Sequence, residues 1–339
     1  MTVKEFLVEW GNDKPTVLVH TSGSTGTPKP LYVEKRRMLN SARITCDFLN
    51  LQPQDTALLC MPLDYIAGKM MVVRSLERRL RLLTVIPSGH PLSGTSLSGF
   101  DNPECEIDFA AMVPLQVYNS LRVPAECERL KRIKHLIIGG GAVDEALAAA
   151  LRSFPNAVWS TYGMTETLSH VALRRLNGSA ANEWYEPFDS VRISLDADDC
   201  LIIDAPLVCD QLLRTHDRAE VKTKKDKEGK LRTLFRIIGR KDNVINSGGI
   251  KIQMEEVEKA LKPYLMKPYL ITKRHSEKFG EEVVLLTESK DLQAIRSICE
   301  KVLPKFHQPH DYQKVSSIPL TETGKIARAK ALLLANAIK

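Results

Sequence analysis

Residues Thr21-Ser22-Gly23-Ser24-Thr25-Gly26-Thr27-Pro28-Lys29 concentrate hydroxyls, two glycines and a lysine directly after the apolar run Val17-Leu18-Val19. Glycines let backbone N–H groups approach an anion, hydroxyls supply further donors, and a lysine adds a mobile point charge. The stretch therefore reads as a loop for a polyphosphate. It is not a Walker A loop, because Pro28 separates Gly26 from Lys29 and Pro30 blocks an immediate helix. A plain Ser/Gly/Thr turn is the alternative reading of these residues alone.

Four later segments also carry groups able to do chemistry. Gly139-Gly140-Gly141-Ala142 follows the apolar run His135 to Ile138, and three glycines there would let the backbone touch a flat ligand or another chain segment. Taken alone, they read more plainly as a tight strand-to-helix turn. Ser160-Thr161-Tyr162-Gly163-Met164-Thr165-Glu166 combines a stacking aromatic, a hydroxyl and a carboxylate, a set suited to a nucleotide and its divalent metal. Its plainer reading is a solvated helix start with Thr165 as N-cap. Gly239 to Gly249 is first charged and then glycine-rich, like a hinge, and Pro319 to Lys325 ends in a lysine at a loop tip.

These segments need a scaffold. Val17 to His20, Thr56 to Met61, Leu82 to Ile86, Phe109 to Val113, His135 to Ile138 and Val158 to Tyr162 read as strands. Helices are expected over Glu34 to Leu49, over Gly68 to Arg79 and from Asp144. The alternation predicts an α/β fold with a largely parallel sheet, whose ligands bind beyond the carboxyl ends of the strands. From Glu183 to Val208 the pattern changes to alternating strands with a turn at Asp196 to Asp199, implying a small antiparallel β subdomain. Lys222 to Lys230 reads as a solvated hairpin tip. Beyond Gly239, helices over Met254 to Leu261 and Leu292 to Leu303, with strands near Tyr269 to Thr272 and Val283 to Leu286, make a small α+β domain.

The 339 residues allow two or three domains, and 43% apolar with 26% charged residues is globular composition, which excludes a disordered chain. A net charge of +7 suits small polyanions as well as nucleic acid. Seven cysteines without a C-x-x-C pair point to reduced thiols and a cytoplasmic protein. No apolar run approaches the ~20 residues that span a bilayer, so no membrane insertion is expected.

In this order, Thr21 to Lys29, Tyr162 to Glu166, Asp217, Arg240 to Gly249 and Lys325 resemble the AMP-forming acyl-CoA ligase, or adenylate-forming, superfamily, over roughly residues 17 to 330. Pro62 to Gly68, Gly163 to Thr167 and Asp242 to Glu256 are most similar to its o-succinylbenzoate-CoA ligase branch, which serves menaquinone biosynthesis. The resemblance implies a large domain over 1–239, with a β subdomain near 183–239, and a small mobile domain over 240–339. It implies ATP, CoA and Mg²⁺ with a small carboxylic acid, no nucleic acid, and a homodimer among the assemblies it allows.

By the same resemblance, Thr21, Ser22, Gly23, Ser24, Thr25, Gly26 and Lys29 would hold the β- and γ-phosphates. Thr165 would contact the α-phosphate and Glu166 the Mg²⁺. Tyr162 and Gly163, with Gly140 and Gly141, would take the adenine, Asp217 and Arg240 the ribose, and Gly248 and Gly249 would approach CoA. Lys325 would bridge the acyl carboxylate and the α-phosphate, with Asp242 as pivot. Arg74 and Lys69, expected on one helix face, would with Ser169 hold the acid's second carboxylate.

Three departures from the family pattern stand out. Only 20 residues precede the phosphate loop where the family carries well over a hundred, so an N-terminal subdomain is expected to be absent. His216 replaces the glycine of Thr-Gly-Asp, and Tyr65 stands where many members have histidine. Another aryl or fatty acyl-CoA ligase, a carrier-protein-loading enzyme, and a non-catalytic nucleotide-binding relative are the alternatives.

Overall fold

The computed structural model describes residues 1–20, 30–97, 106–225, 229–320 and 326–337. Its contacts divide the chain into two compact units. The first comprises Met1–Ile193, Ile203–Leu213 and Lys222–Arg236, and the second Ser194–Ile202, Arg214–Val221 and Ile237–Lys339.

The first unit opens with helix α1 (Val3–Gly11), capped by Thr2: its hydroxyl accepts from the Glu5 amide at 3.2 Å while Glu5 accepts from the Thr2 amide at 2.7 Å. Strands β1 (Thr16–His20) and β2 (Pro30–Glu34) then form a separate antiparallel pair. The expected place of Val17 to His20 at the start of the main sheet is thus corrected. Two strands only nine residues apart in the chain pair antiparallel with each other, because parallel pairing needs a longer crossover.

The main sheet is built from β3 (Thr56–Leu59), β4 (Arg81–Thr84), β5 (Phe109–Met112), β6 (His135–Ile138), β7 (Ala157–Gly163), β8 (His170–Arg175) and β9 (Glu186–Pro187), in the order β4-β3-β5-β6-β7-β8-β9. The first five are parallel and β8 and β9 antiparallel. All four residues of β3 and of β5 are buried, as strands covered on both faces require. The connections are α2 (Lys35–Phe48), α3 (Ile66–Arg78), the single turn α4 (Gly94–Leu97), α5 (Pro114–Arg122), α6 (Pro124–Arg132) and α7 (Glu145–Leu151). Leu58, Met112, Leu136, Ile138, Leu151 and Val158 anchor one core. Asp144 caps α7 through the Leu147 amide at 2.7 Å.

No helix starts at Thr165. Instead the chain turns at Met164 to Ser169 and returns as β8. Leu168 takes φ +64°, and the buried Thr167 hydroxyl accepts from the Met164 amide at 3.0 Å and lies 2.7 Å from the Ser169 carbonyl. The turn is tight enough to fix the residue before it. A Cβ on Gly163 would lie 2.2 Å from the Ser169 carbonyl oxygen and 2.5 Å from the His170 Cα, both backbone atoms. Gly163→Ala is therefore expected to cost about 1–3 kcal/mol, read as a lower urea midpoint. Gly94→Ala, with nothing among the described residues within 4 Å of the new Cβ, is the control and should leave the midpoint unchanged or higher.

Strands β10 (Arg192–Leu195), β11 (Cys200–Asp204), β12 (Leu213–Lys225) and β13 (Leu231–Arg240) form a four-stranded sheet in chain order. The expected Asp196 turn is present, with its carboxylate accepting from the Asp198 and Cys200 amides at 2.9 and 2.8 Å.

The second unit continues with a 3-10 turn (Lys241–Asn243), β14 (Val244–Ser247), β15 (Ile250–Gln253), α8 (Met254–Leu261), β16 (Tyr269–Ser276), β17 (Gly280–Thr287), α9 (Leu292–Val302), β18 (Asp311–Lys314) and α10 (Arg328–Ala337). Its sheet runs β15-β14-β17-β16, with β18 parallel to β17. The two-residue period of β17 sends Val283 and Leu285 into a core with α8 and α9. Val284 and Leu286 enter another with Ala331 and Ala335 of α10. The sheet is covered on both faces. Among the described residues no helix is long and apolar enough to cross a membrane.

Candidate active site

In the first unit the candidate groups meet beyond the carboxyl ends of β6 and β7. These strands are parallel neighbours, with Ile138 opposite Ser160, so the glycines after β6 run beside Thr161 and Tyr162. Gly139 passes so close to β7 that a Cβ would meet Thr161 Oγ1 at 2.4 Å. Gly140 takes φ +75°, left-handed backbone suited to glycine, next to Val113 at the start of α5. Gly139 thus permits the close contact with another chain segment, and Gly140 makes the turn.

Tyr162 is half-buried against other aromatics. Its ring lies edge-on to Phe235 at 5.1 Å and tilted to Tyr185 at 5.8 Å, and the Tyr185 hydroxyl is 2.9 Å from Ser160 Oγ. Neither Tyr185 nor Phe235 was singled out in the sequence, because they reach Tyr162 from β9's approach and from β13. The exposed Glu166 has no ion-pair partner among the described residues, and these contain no group of three His, Cys, Asp or Glu able to hold a metal ion.

Helix α3 carries two buried cations that point apart. Arg74 is 2% exposed and donates to Ser169 Oγ at 2.5 Å, whereas Lys69 is 3% exposed and donates to the Leu18 carbonyl at 2.7 Å, near Glu9 at 3.5 Å and over the Phe6 ring. The expectation of one shared face is corrected. Five residues turn a helix by about 140° beyond a full turn, so the two side chains leave in different directions. Burial pushes the Arg74 guanidinium down to about 10.

In the second unit the candidate ribose and hinge residues form one row. Arg240 donates to Asp217 at 3.1 Å and to Asp242 at 3.1 Å, and His216 Nδ1 lies 2.9 Å from each oxygen of Asp242. Burial pushes the Asp242 carboxyl up, but the bonds from His216 and Arg240 outweigh it and hold it below the usual range. His216 was noted only as a departure; its pairing with Asp242 joins positions 26 residues apart and leaves no sequence signal. Gly248 and Gly249, at φ +57° and +85°, form the two-residue turn between β14 and β15, where Ser247 faces Ile250. Thr21 to Lys29 and Lys325 lie outside the described residues.

Comparison with known proteins shows the family. The family described as AMP-binding enzyme matches residues 4–206, and the chain belongs to it. It is similar to a solved acyl-CoA synthetase (AMP-forming)/AMP-acid ligase II-like protein from Dyadobacter fermentans, at 31% identity and TM-score 0.63, covering 98% of this chain and 92% of that one. It is also similar to the 2-succinylbenzoate–CoA ligase of Salmonella typhimurium, at 26% identity over 329 residues, covering 90% of this chain but 65% of that protein. The 3,4-dihydroxybenzoate–[aryl-carrier protein] ligase of Bacillus anthracis is 24% identical over 322 residues, covering 93% of this chain and 73% of that protein. The chain thus spans about two thirds of the length of the first of these ligases. The solved O-succinylbenzoate coenzyme A synthetase of Bacillus subtilis, in complex with ATP and magnesium ion, shares the fold at TM-score 0.71 and 21% identity, covering 92% of this chain and 69% of that one.

Proposed function

We propose that this protein activates a carboxylic acid with ATP and passes the acyl group to CoA, with o-succinylbenzoate as the acid. The observation that carries the acid is Arg74, a buried cation with no carboxylate partner among the described residues. A diacid supplies what is missing: one carboxylate reacts, and the other, still ionised, needs a cation away from phosphorus.

In this reading adenine lies between Tyr162 and the backbone of Gly140 and Gly141, and Gly163 gives the adjoining backbone its close course. Asp217 accepts from the ribose hydroxyls while Arg240 holds its carboxylate in place. Thr21, Ser22, Gly23, Ser24, Thr25, Gly26 and Lys29 cradle the phosphate tail. Thr165 contacts the α-phosphate, and Glu166, whose hard carboxylate oxygens fit Mg²⁺, would hold that ion. Bound magnesium supplies neutralisation of phosphate charge. Lys325 aligns the attacking carboxylate with the α-phosphate and stabilises the charge that builds there. Thiol attack then releases AMP, with the small domain pivoting at Asp242 to bring Gly248 and Gly249 toward the thiol.

Pyrophosphate exchange over a panel of acids, followed by AMP release with CoA or an aryl-carrier protein as acceptor, tests the proposal. Exchange dependent on o-succinylbenzoate, with CoA as acceptor, is expected. A second reading, loading of an aryl acid onto a carrier, is favoured by the Bacillus anthracis relative and would show as exchange with a hydroxybenzoate and transfer to the carrier. No exchange with any acid would favour a non-catalytic nucleotide binder.

The hairpin glycines give a separate test. Gly249 has nothing among the described residues within 4 Å of its Cβ position but φ +85°, so Gly249→Val is expected to strain this turn by about 1–2 kcal/mol and to slow thioester formation more than pyrophosphate exchange. Exchange failing first would show that the turn serves the nucleotide or folding instead.

A further inference from the structure

Arg74 does not hold its direction alone. Its guanidinium bonds Ser169 Oγ at 2.5 Å and Met71 Sδ at 3.9 Å, while the buried Nε has no partner among the described residues. Behind Ser169 stands His170, 7% exposed, with Nδ1 3.2 Å from Ser169 Oγ and Nε2 3.1 Å from Thr45 Oγ1. The protons in this chain can be assigned by elimination. Thr45 gives its hydroxyl hydrogen to the Ser41 carbonyl one turn earlier, at 3.1 Å, so toward His170 it can only accept. Nε2 therefore carries the imidazole hydrogen, and Nδ1 is a bare acceptor. The arginine offers Ser169 only donors, so the serine's one hydrogen goes to Nδ1 and its lone pairs face Arg74. An imidazolium would present a second donor to Ser169 and leave that hydrogen without an acceptor.

We propose that His170 is the positioning residue of the acid site: as a neutral Nε2–H imidazole it fixes the Ser169 hydroxyl, and Ser169 in turn holds Arg74 aimed for the ligand's second carboxylate. The ring's surroundings keep it neutral. Helix α3 presents the charge of Arg74, α2 presents only the hydroxyl of Thr45, and the loop after β9 presents the Phe188 ring at 5.6 Å. Burial foremost, then the charge of Arg74, holds the imidazole well below its ordinary range. Among the described residues its hydrogen bonds run to Thr45 and, through Ser169, to Arg74, so its effect is expected on which acid binds.

The proposal rests on the reading of Arg74 as the carboxylate site, and its test separates the two. His170→Phe keeps a ring against Phe188 and removes both bonds; His170→Asn keeps an acceptor for Ser169. In pyrophosphate exchange, His170→Phe is expected to raise KM for o-succinylbenzoate about tenfold, with KM for ATP and for benzoate unchanged, and His170→Asn to restore most of it. Equal losses with benzoate and o-succinylbenzoate, or no change in KM, would overturn the positioning role. ¹⁵N NMR of the wild-type imidazole is the second measurement and needs no variant to fold. A neutral Nε2–H ring from pH 6 to 8 supports the chain of bonds, and an Nδ1–H tautomer or an imidazolium at pH 7 overturns it. A wild type that prefers benzoate defeats the reading of Arg74 while the NMR result still decides the tautomer.

Discussion

Lys325→Ala is expected to lower pyrophosphate exchange by about 10²–10³-fold while leaving conversion of supplied acyl-AMP to the thioester largely intact. The reason lies in where charge develops. During adenylation negative charge builds on the α-phosphate oxygens as the acid's carboxylate attacks, and an ammonium bridging the two groups is worth most at that moment. In the thiol step the phosphate leaves as AMP without gaining a bond, and the developing charge sits on the acyl oxygen. The two half-reactions assayed separately give the answer: equal loss in both would mean that Lys325 holds the nucleotide or the fold, and the division of labour between the steps would fall.

The parallel sheet could be read from the sequence because strands buried on both faces are continuous apolar runs, as in Thr56 to Leu59 and Phe109 to Met112. Helices α5 and α6 escaped the reading although each begins at a proline, Pro114 and Pro124, a position that favours a first helical turn. The β1–β2 pair was hidden for a different reason: strand pairing is a long-range choice, and a run such as Val17 to Val19 carries no mark of its partner. Thr165 looked like a cap because a hydroxyl before a carboxylate suits a helix start. The backbone instead reverses, and the demand that Gly163 meet β8 closely is visible only in space.

The candidate site divides in the same way. Motif residues that share a strand end, such as Tyr162 and Gly163, could be found from their order in the chain. Residues that act through a neighbour could not. Nothing in the sequence marks His170, whose contacts with Thr45 and Ser169 exist only in space, and the expectation of one face for Lys69 and Arg74 fails because five residues overshoot a helical turn.

Arg74 carries the largest effect expected on substrate choice. A charge-assisted bond of about 1.5–3 kcal/mol to the second carboxylate implies that Arg74→Ala lowers kcat/KM for o-succinylbenzoate by about ten- to a hundredfold, with little change for benzoate. Stability should move the other way, and that contrast identifies the residue as functional. In the folded protein burial holds the guanidinium at about 10, well below the ordinary arginine range, a displacement equivalent to about 3 kcal/mol against the charged form. From about pH 10 up to the ordinary arginine range the unfolded chain binds more protons than the folded one, so stability rises with pH there, and at pH 7 the whole penalty is present. Arg74→Met fills similar space without the charge and leaves only the Ser169 hydroxyl to find another partner. Its unfolding midpoint is therefore expected to equal or exceed that of the wild type, while activity with the diacid falls. If Arg74→Met instead lowers the midpoint and spares the preference for o-succinylbenzoate over benzoate, the arginine is a structural element of α3 and the acid's second carboxylate is held elsewhere.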